Sequence, residues 1–226
     1  MAITFVPGSK NYAISASANV TLFPGATTTA GNCIIVTVFA NGTLSAITVT
    51  GPLAETPETI IETAFAGDGG NRRMGCFAFP NEVSYNTLNG FLVASVGAAE
   101  LDAHFLEYSG VATSSVSDGS NHNWFNGSTS TTGDPGAIST TVADDLILGM
   151  SGQPSTSTVS AGSGYTIEVS SPASVGFKCD TEDQVVSGTG SFDPTFTYDV
   201  SAAWFCIAAA IKPAGVADTL LGQAVL

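Results

Sequence analysis

Short apolar stretches rich in β-branched and aromatic residues recur about every 10 to 20 residues along the chain, and clusters of Gly, Pro, Asn and Asp separate them. Such stretches are typical of β-strands, and the separating residues are typical of turns. The pattern predicts about thirteen strands and no helix. The predicted strands are Tyr12–Ala18, Asn32–Ala40, Ala46–Thr50, Glu58–Ala66, Arg72–Phe79, Gly90–Val96, Ala103–Tyr108, Ile138–Val142, Asp145–Met150, Tyr165–Ser170, Ser174–Cys179, Phe192–Val200 and Ala203–Lys212.

The segment Thr56–Phe65 is also compatible with a helix, because Pro57 suits the first helical position after a threonine cap. Ile60, Ile61 and Phe65 would then share one face of that helix. We favour a strand for this segment.

Many short strands without long linkers predict an all-β fold. The expected architecture is a two-sheet antiparallel β-sandwich of jelly-roll or concanavalin-like type. We expect one domain over residues 1–212, in which residues 1–10 form an N-terminal arm, followed by a C-terminal tail over residues 213–226. No internal repeat of fixed period is visible in the sequence.

Two predicted strands are apolar on both faces, Cys33–Ala40 and Trp204–Ala209. A sandwich strand normally has one face in water. Either these are central strands that a loop or a terminal arm covers, or their outer faces pack against another subunit. We favour the first explanation.

The charge balance limits the partners that this protein can have. The 226 residues include 19 acidic and 5 basic side chains, for a net charge of −14, and 44% of the residues are hydrophobic. That apolar content excludes an intrinsically disordered chain. Phosphate backbones and anionic membrane surfaces attract clustered basic residues, so we expect neither a nucleic acid nor a membrane as a partner.

The beginning of the chain shows no basic start followed by a long apolar stretch, so no secretory signal is visible. The longest apolar stretches are about half the length that spans a bilayer. We therefore expect synthesis in the cytoplasm without a signal peptide.

The four cysteines, Cys33, Cys76, Cys179 and Cys206, form no closely spaced pairs of the kind that structural zinc sites use. We expect free buried thiols, because a cysteine behaves as a small apolar residue in a core. A disulfide between two of them is an alternative if the protein matures outside a reducing compartment. No cofactor and no metal are predicted.

Two acidic clusters could supply oxygen ligands to calcium, namely Asp144 with Asp145, and Asp180 with Glu182 and Asp183. Solvated turn residues are the favoured interpretation of both clusters.

The sequence offers no catalytic motif. A possible carboxylate pair lies in the segment from Glu100 to Glu107, but retaining glycosidases need their two carboxyls about 5–5.5 Å apart. In a strand, Glu100, Asp102 and His104 share one face, whereas Glu107 points to the other face. Glu107 would also lie about 23 Å from Glu100 along the strand. We predict a structural role for His104 and no enzymatic activity.

The best candidate for ligand binding is the polar segment 112–136, which we expect to be a long loop. It carries His122, Asn123, Trp124 and Phe125, a set that could stack on a sugar ring and bind its hydroxyls. The alternative, which we favour, is that Trp124 folds back as a plug over the edge of the sandwich.

The apolar C-terminal segment could contact another subunit if it is ordered. The residues that would make this contact are Leu220, Leu221, Val225 and Leu226.

Four motifs resemble a group of β-sandwich proteins from phage virions and bacterial surfaces. They are LEYSGV (Leu106–Val111), STTVADDLILGMSG (Ser139–Gly152), GSGYTIE (Gly162–Glu168) and SAAWFCIAAAIKPA (Ser201–Ala214). The resemblance covers roughly residues 32–214. It implies a jelly-roll sandwich with a structural or decorating role on particles, and it implies no catalytic residue.

These observations together predict a non-enzymatic structural virion protein, either a capsid decoration or a fibre-type subunit on the particle surface. Its expected partners are the major capsid protein or sister subunits in a homo-oligomer of closed symmetry, with a surface glycan as a possible ligand. Two alternatives stay open: a carbohydrate-binding module, and a self-assembling protein of the bacterial surface or of a filament.

Overall fold

A computed structural model describes residues 2–42, 45–65, 71–125, 130–153, 157–172 and 177–215. These ranges contain nineteen strands and no helix, so no helix that could cross a membrane is found in them. The C-terminal contact residues predicted above lie outside the described ranges. The strands are β1 Thr4–Phe5, β2 Asn11–Ser15, β3 Asn19–Leu22, β4 Cys33–Gly42, β5 Thr48–Thr50, β6 Glu58–Ala64, β7 Arg72–Phe79, β8 Phe91–Ala94, β9 Ala98–Ser109, β10 Ser117–Phe125, β11 Thr132–Gly133, β12 Ile138–Ser139, β13 Leu146–Gln153, β14 Val159–Ser160, β15 Thr166–Ser170, β16 Lys178–Val185, β17 Ser191–Phe192, β18 Phe196–Tyr198 and β19 Trp204–Ile211.

The all-β antiparallel prediction is confirmed, and the segment that resembled a helix is the strand β6. One other prediction is wrong. The segment 112–136 is not a loop throughout, because β10 occupies nine of its residues and pairs with β19. The first part of the strand expected at Ser174–Cys179 lies outside the described ranges. Its last two residues begin β16, which continues to Val185 through acidic residues that concealed it in the sequence.

Two large sheets form the body of the molecule. One has the order β1-β9-β4-β7-β6, with β2 also paired to β9, and the other has the order β10-β19-β13-β16-β15. Their inner faces pack against each other through one large apolar core. Side chains from both sheets fill it, including Ile35, Phe39, Met74, Leu106, Leu148, Met150, Phe205 and Ile207.

Short sheets cover the outer faces of both large sheets. The sheet β3-β8-β5 packs on the first large sheet through a second apolar core that contains Val36 and Phe91. Residues of the short sheets β11-β18-β14 and β12-β17 pack on the second through smaller clusters around Tyr198 and Ile138. Both faces of the two doubly apolar strands are therefore buried within one chain. The cover is made of short sheets, where we expected a loop or an arm.

The two halves of the chain have the same strand order. In the first half the order is β2-β9-β4-β7-β6 with β3-β8-β5 outside it, and in the second half it is β10-β19-β13-β16-β15 with β11-β18-β14 outside it. Each strand of the first set thus has a counterpart in the second at the same place in the chain order. The molecule is built from two topologically equivalent halves that pack face to face.

The halves are joined where β9 and β19 end. Val111 pairs with Pro213, and the amide of Ala214 donates to the carbonyl of Gly110 at 2.6 Å. Gly110 has a φ of +77°, and a Cβ atom there would lie 2.4 Å from the carbonyl oxygen of Ala2. Glycine is therefore required at this turn. At the N-terminus, Thr4 and Phe5 pair with β9; the division of the chain into an arm, a domain and a tail stays a prediction.

Candidate functional site

The predicted glycan-binding residues lie on β10, an edge strand of the second large sheet. Successive side chains of a strand point to opposite faces. His122 and Trp124 are on the inner face, opposite Ile207 and Phe205 of β19, whereas Asn123 and Phe125 are on the outer face. The strand thus separates the four side chains onto two surfaces.

Trp124 is half-buried and packs against the large core. Its ring stacks on that of Phe205, with the centroids 6.4 Å apart and the planes within 5°. On the outer face, Phe125 stacks on Trp204 at 6.2 Å. This geometry is that of an edge plug, although a role of these residues in ligand binding stays a prediction.

Arg72 contacts the ring of Phe205, as Trp124 does, and the sequence analysis missed it. Its guanidinium carbon is 5.0 Å from the ring centroid of Phe177 and 4.9 Å from that of Phe205. These contacts favour the cation by the attraction between its charge and the two π-faces. No local pattern could reveal the contact, because the three residues are far apart in the sequence.

A buried polar network joins the two large sheets. Nδ1 of His104 lies 2.8 Å from Oγ1 of Thr181, and Nε2 lies 3.3 Å from Oδ1 of Asp102. Oγ1 of Thr181 is also 3.0 Å from Oγ1 of Thr37, and Ser171 donates its hydroxyl to Asp102. Strands β4 and β9 of one half are thereby hydrogen-bonded to β16 of the other.

A hydroxyl, an imidazole and a carboxylate in this order are also the parts of a nucleophilic relay. Here all three side chains are at most 1% exposed, and they lie between the two sheets. A substrate cannot reach Oγ1 of Thr181 in this fold. The arrangement therefore holds the two halves together, in the structural role expected for His104.

The register also confirms the expected faces of β9. Asp102 and His104 pair with Phe39 and Thr37 on the inner face, whereas Glu107 lies opposite Ile34 on the outer face. Oε1 of Glu107 accepts hydrogen bonds from the Thr29 amide and the Asn32 side chain. Glu107 is thus a buried structural acceptor.

Both acidic clusters differ from the favoured interpretation as solvated turns. Asp144 is exposed, but Asp145, Asp180 and Glu182 are fully buried. Burial raises the pKa of Asp145 to about 8, with a further rise from the hydrogen bond to Asp118. Burial likewise raises the pKa of Glu182 to about 8, against a lowering by the Gly162 amide that donates to it.

Burial also raises the pKa of Glu100 to about 7, and the charge of the neighbouring Asp102 adds to this rise. Within the described ranges, no group of three or more His, Cys, Asp or Glu side chains is arranged to hold a metal ion.

All four cysteines are free and buried, as expected. Burial raises the pKa of the Cys76 thiol to about 12. Such a thiol is inert as a nucleophile at neutral pH.

A pocket of about 240 Å³ lies where the edge strands β2 and β15 meet, at the seam between the two halves. We call it the seam pocket. Oε2 of Glu168 lies 3.4 Å from Nζ of Lys10 across it, and the Tyr12 side chain is exposed. Its lining residues are Lys10, Asn11, Tyr12, Glu168, Val169 and Ser170. The sequence analysis missed this site, because its two walls are more than 150 residues apart.

No protein-family model matches the chain, and no curated protein matches it. Among solved structures, the chain is similar to a conserved protein of unknown function from Pseudomonas aeruginosa PAO1. The identity is 11%, the match covers 91% of this chain and 83% of the other, and the TM-score is 0.29. A likeness this weak carries no argument about fold or function.

Proposed function

We propose that this chain is a non-enzymatic structural protein of a phage particle, a capsid decoration or fibre-type subunit on its surface. The observation that carries the proposal is the place of the resembling motifs in the fold. Leu106–Val111 ends β9 and Ser201–Ala214 contains β19, which are the equivalent last strands of the two halves. The two motifs meet where Val111 pairs with Pro213. The two motifs that resemble those of virion proteins thus contribute strands to the central sheets of the fold.

We also propose that each half is a jelly roll. In that fold the first of eight strands pairs with the last, the last with the third and the third with the sixth, while the second and fourth flank the seventh. The strands β2 to β9 follow these pairings, and β10 to β19 repeat them if the short β12 and β17 are set aside. One departure is the fifth strand, which pairs with the sixth strand in both halves.

The surroundings of the reactive side chains support a structural role. The polar network around His104 and the four thiols are enclosed, and the many acidic side chains would keep a surface protein soluble and away from packaged nucleic acid.

The test is to quantify the chain in phage particles from the strain that encodes it, by mass spectrometry of density-purified particles and by immunogold electron microscopy. We expect a fixed ratio of this chain to the major capsid protein, and gold on the particle exterior. A chain that is abundant in the lysate and absent from the particles overturns the proposal.

The second candidate function is carbohydrate binding at Trp124. The observation in its favour is that the indole is only half-buried and lies beside the exposed His122 at the end of β10. Loss of glycan binding in Trp124→Ala, with folding unchanged, supports this alternative.

A further inference from the structure

We propose that the seam pocket binds a neutral, hydroxyl-rich ring such as one hexose unit of a glycan. This inference goes beyond the structural role proposed above and does not depend on it. It also places glycan recognition away from Trp124 on β10.

The position of the pocket is that of a binding site. Ligand pockets occur preferentially where two structural units meet. The seam pocket has one wall from β2 of the first half and one from β15 of the second. Its volume of about 240 Å³ is below the usual range for drug-sized ligands, so only a small ligand such as a single ring would suit it.

Tyr12 supplies an apolar platform at this pocket. Its side chain is 41% exposed, and it pairs with His104 across β2 and β9, so that it points toward the second half. Oδ1 of Asn11 accepts a hydrogen bond from the Tyr12 amide, and Nδ2 of Asn11 donates to the carbonyl of Phe23. The backbone under the ring is thereby held in place. A phenol ring offers an apolar face to the C–H groups of a sugar and a hydroxyl to its polar edge.

Lys10 and Glu168 supply a donor and an acceptor. Their side chains are 40% and 13% exposed, and the solvent around the Lys10 ammonium weakens the attraction between the two charges. A sugar can exchange this contact for hydrogen bonds of its hydroxyls to the two groups. The ammonium would donate to one hydroxyl and the carboxylate would accept from the next, in charge-assisted hydrogen bonds.

The local charge selects the class of ligand. Lys10 and Glu168 cancel each other, in a protein whose net charge is −14. Glu168 and the nearby Asp183 disfavour an anion, and a cation gains little at Glu168 because Lys10 is already its counter-ion. A neutral polyol remains as the ligand that satisfies both groups. At the other candidate site, by contrast, the Trp124 indole is half-buried and packs against Phe205.

The experiment is a titration of the full chain with the methyl glycosides of glucose, galactose, mannose and N-acetylglucosamine, followed by amide chemical shifts. Single sugars bind proteins weakly, so we expect a dissociation constant of about 1 mM for at least one of them. The shifting amides should lie at residues 10–12 and 168–170. Three variants accompany the native chain: Tyr12→Ala, Glu168→Gln and, as the matched aromatic control at the other site, Trp124→Ala.

We expect affinity to fall at least about tenfold in Tyr12→Ala and in Glu168→Gln, and to stay unchanged in Trp124→Ala. Glu168→Gln keeps the size of the side chain, so a loss there cannot come from a collapsed pocket. The proposal is overturned if none of the four sugars shifts any amide at the seam, or if Tyr12→Ala binds as the native chain does. If affinity for the sugar is lost in Trp124→Ala alone, the binding site is at Trp124 on β10 instead.

Discussion

At the scale of single residues, the core between the large sheets is unusual for the polar side chains that it encloses. Thr37, Asp102, His104 and Thr181 are each at most 1% exposed. A buried polar group costs free energy unless it is hydrogen-bonded, and each of these residues has at least one hydrogen bond across the sheets. The network therefore specifies how the halves face each other more than it adds stability.

This role predicts that Thr181→Val is destabilising although it keeps the shape of the side chain. The substitution leaves Nδ1 of His104 and Oγ1 of Thr37 without their partner, which should lower the free energy of unfolding by about 1–3 kcal/mol. Urea denaturation measures this loss. The matched control is Thr166→Val, an exposed threonine of β15, with an expected change within about 0.5 kcal/mol. Equal effects of the two variants would contradict the structural role of the network.

A second residue-scale prediction concerns the turn that joins the halves. Gly110→Ala places a Cβ atom against the carbonyl of Ala2 in a left-handed backbone conformation, and should destabilise the protein by about 1–3 kcal/mol. Thermal unfolding provides the measurement. Gly188→Ala is the control, because nothing lies within 4 Å of its added Cβ atom and its φ is not left-handed. If both variants have the same melting temperature, the close approach at Gly110 does not exist in solution.

At the scale of elements, β10 and β16 show that neighbouring strands can hold a polar segment in the strand conformation. Neither has the apolar alternation that identifies a strand, since β10 reads SDGSNHNWF and β16 reads KCDTEDQV. β10 forms because its backbone pairs with β19, and β16 because β13 and β15 pair with both of its edges. Backbone hydrogen bonds to neighbours thus override a weak local preference.

Hydrogen exchange distinguishes this strand from the loop that the sequence suggested. As an edge strand, β10 should show protection of alternate amides, those that bond to β19, whereas the central strand β4 should be protected at nearly every residue. Two-dimensional NMR after transfer to D₂O measures both in one sample. Exchange of all β10 amides at the rate of an unstructured peptide would show that this segment is a loop after all.

At the scale of the whole molecule, buried carboxyls make stability depend on pH. Burial raises the pKa values of Asp145, Glu182 and Glu100 to between about 7 and 8. In an unfolded chain the same groups ionise near pH 4. Unfolding therefore releases protons between these values. The free energy of unfolding should be highest in acid and should fall as the pH rises from about 4 to about 8.

Thermal melting over that pH range tests this expectation, with Glu182→Gln as the variant. The amide oxygen of Gln can keep the hydrogen bond from Gly162 but cannot ionise, so the fall of the melting temperature with pH should become shallower. Asp199→Asn, at an exposed position away from the three carboxyls, serves as the control and should leave the slope unchanged. A native protein that is more stable at pH 8 than at pH 5 would contradict the assignment.

Assembly is the second prediction at this scale. We expect light scattering to give a mass above that of one chain for the full protein, and a monomer for a version that ends at Pro213. A monomer in both cases removes the tail as an interaction arm and favours the binding-module alternative. An open-ended polymer of the full chain supports the self-assembling surface protein.

The sequence by itself determined the features that depend on short-range periodicity. Alternation along the strands predicted an all-β fold, and it placed Asp102 and His104 on one face of β9 with Glu107 on the other. The absence of close cysteine pairs, with apolar stretches around Cys33, Cys76 and Cys206, predicted free buried thiols. These inferences held because each depends on backbone geometry within a few residues.

Only the tertiary structure decided which distant segments meet. The equivalence of the two halves, the contact of Arg72 with two aromatic rings and the pairing of β10 with β19 all join residues that no local pattern connects. The seam pocket is the clearest case, because Lys10 and Glu168 acquire a shared role only when two edge strands of different halves are brought together. Burial acts in the same way: the carboxyls of Asp145 and Glu182 look like turn residues in the sequence, and become core residues once neighbouring strands and cover sheets exclude water.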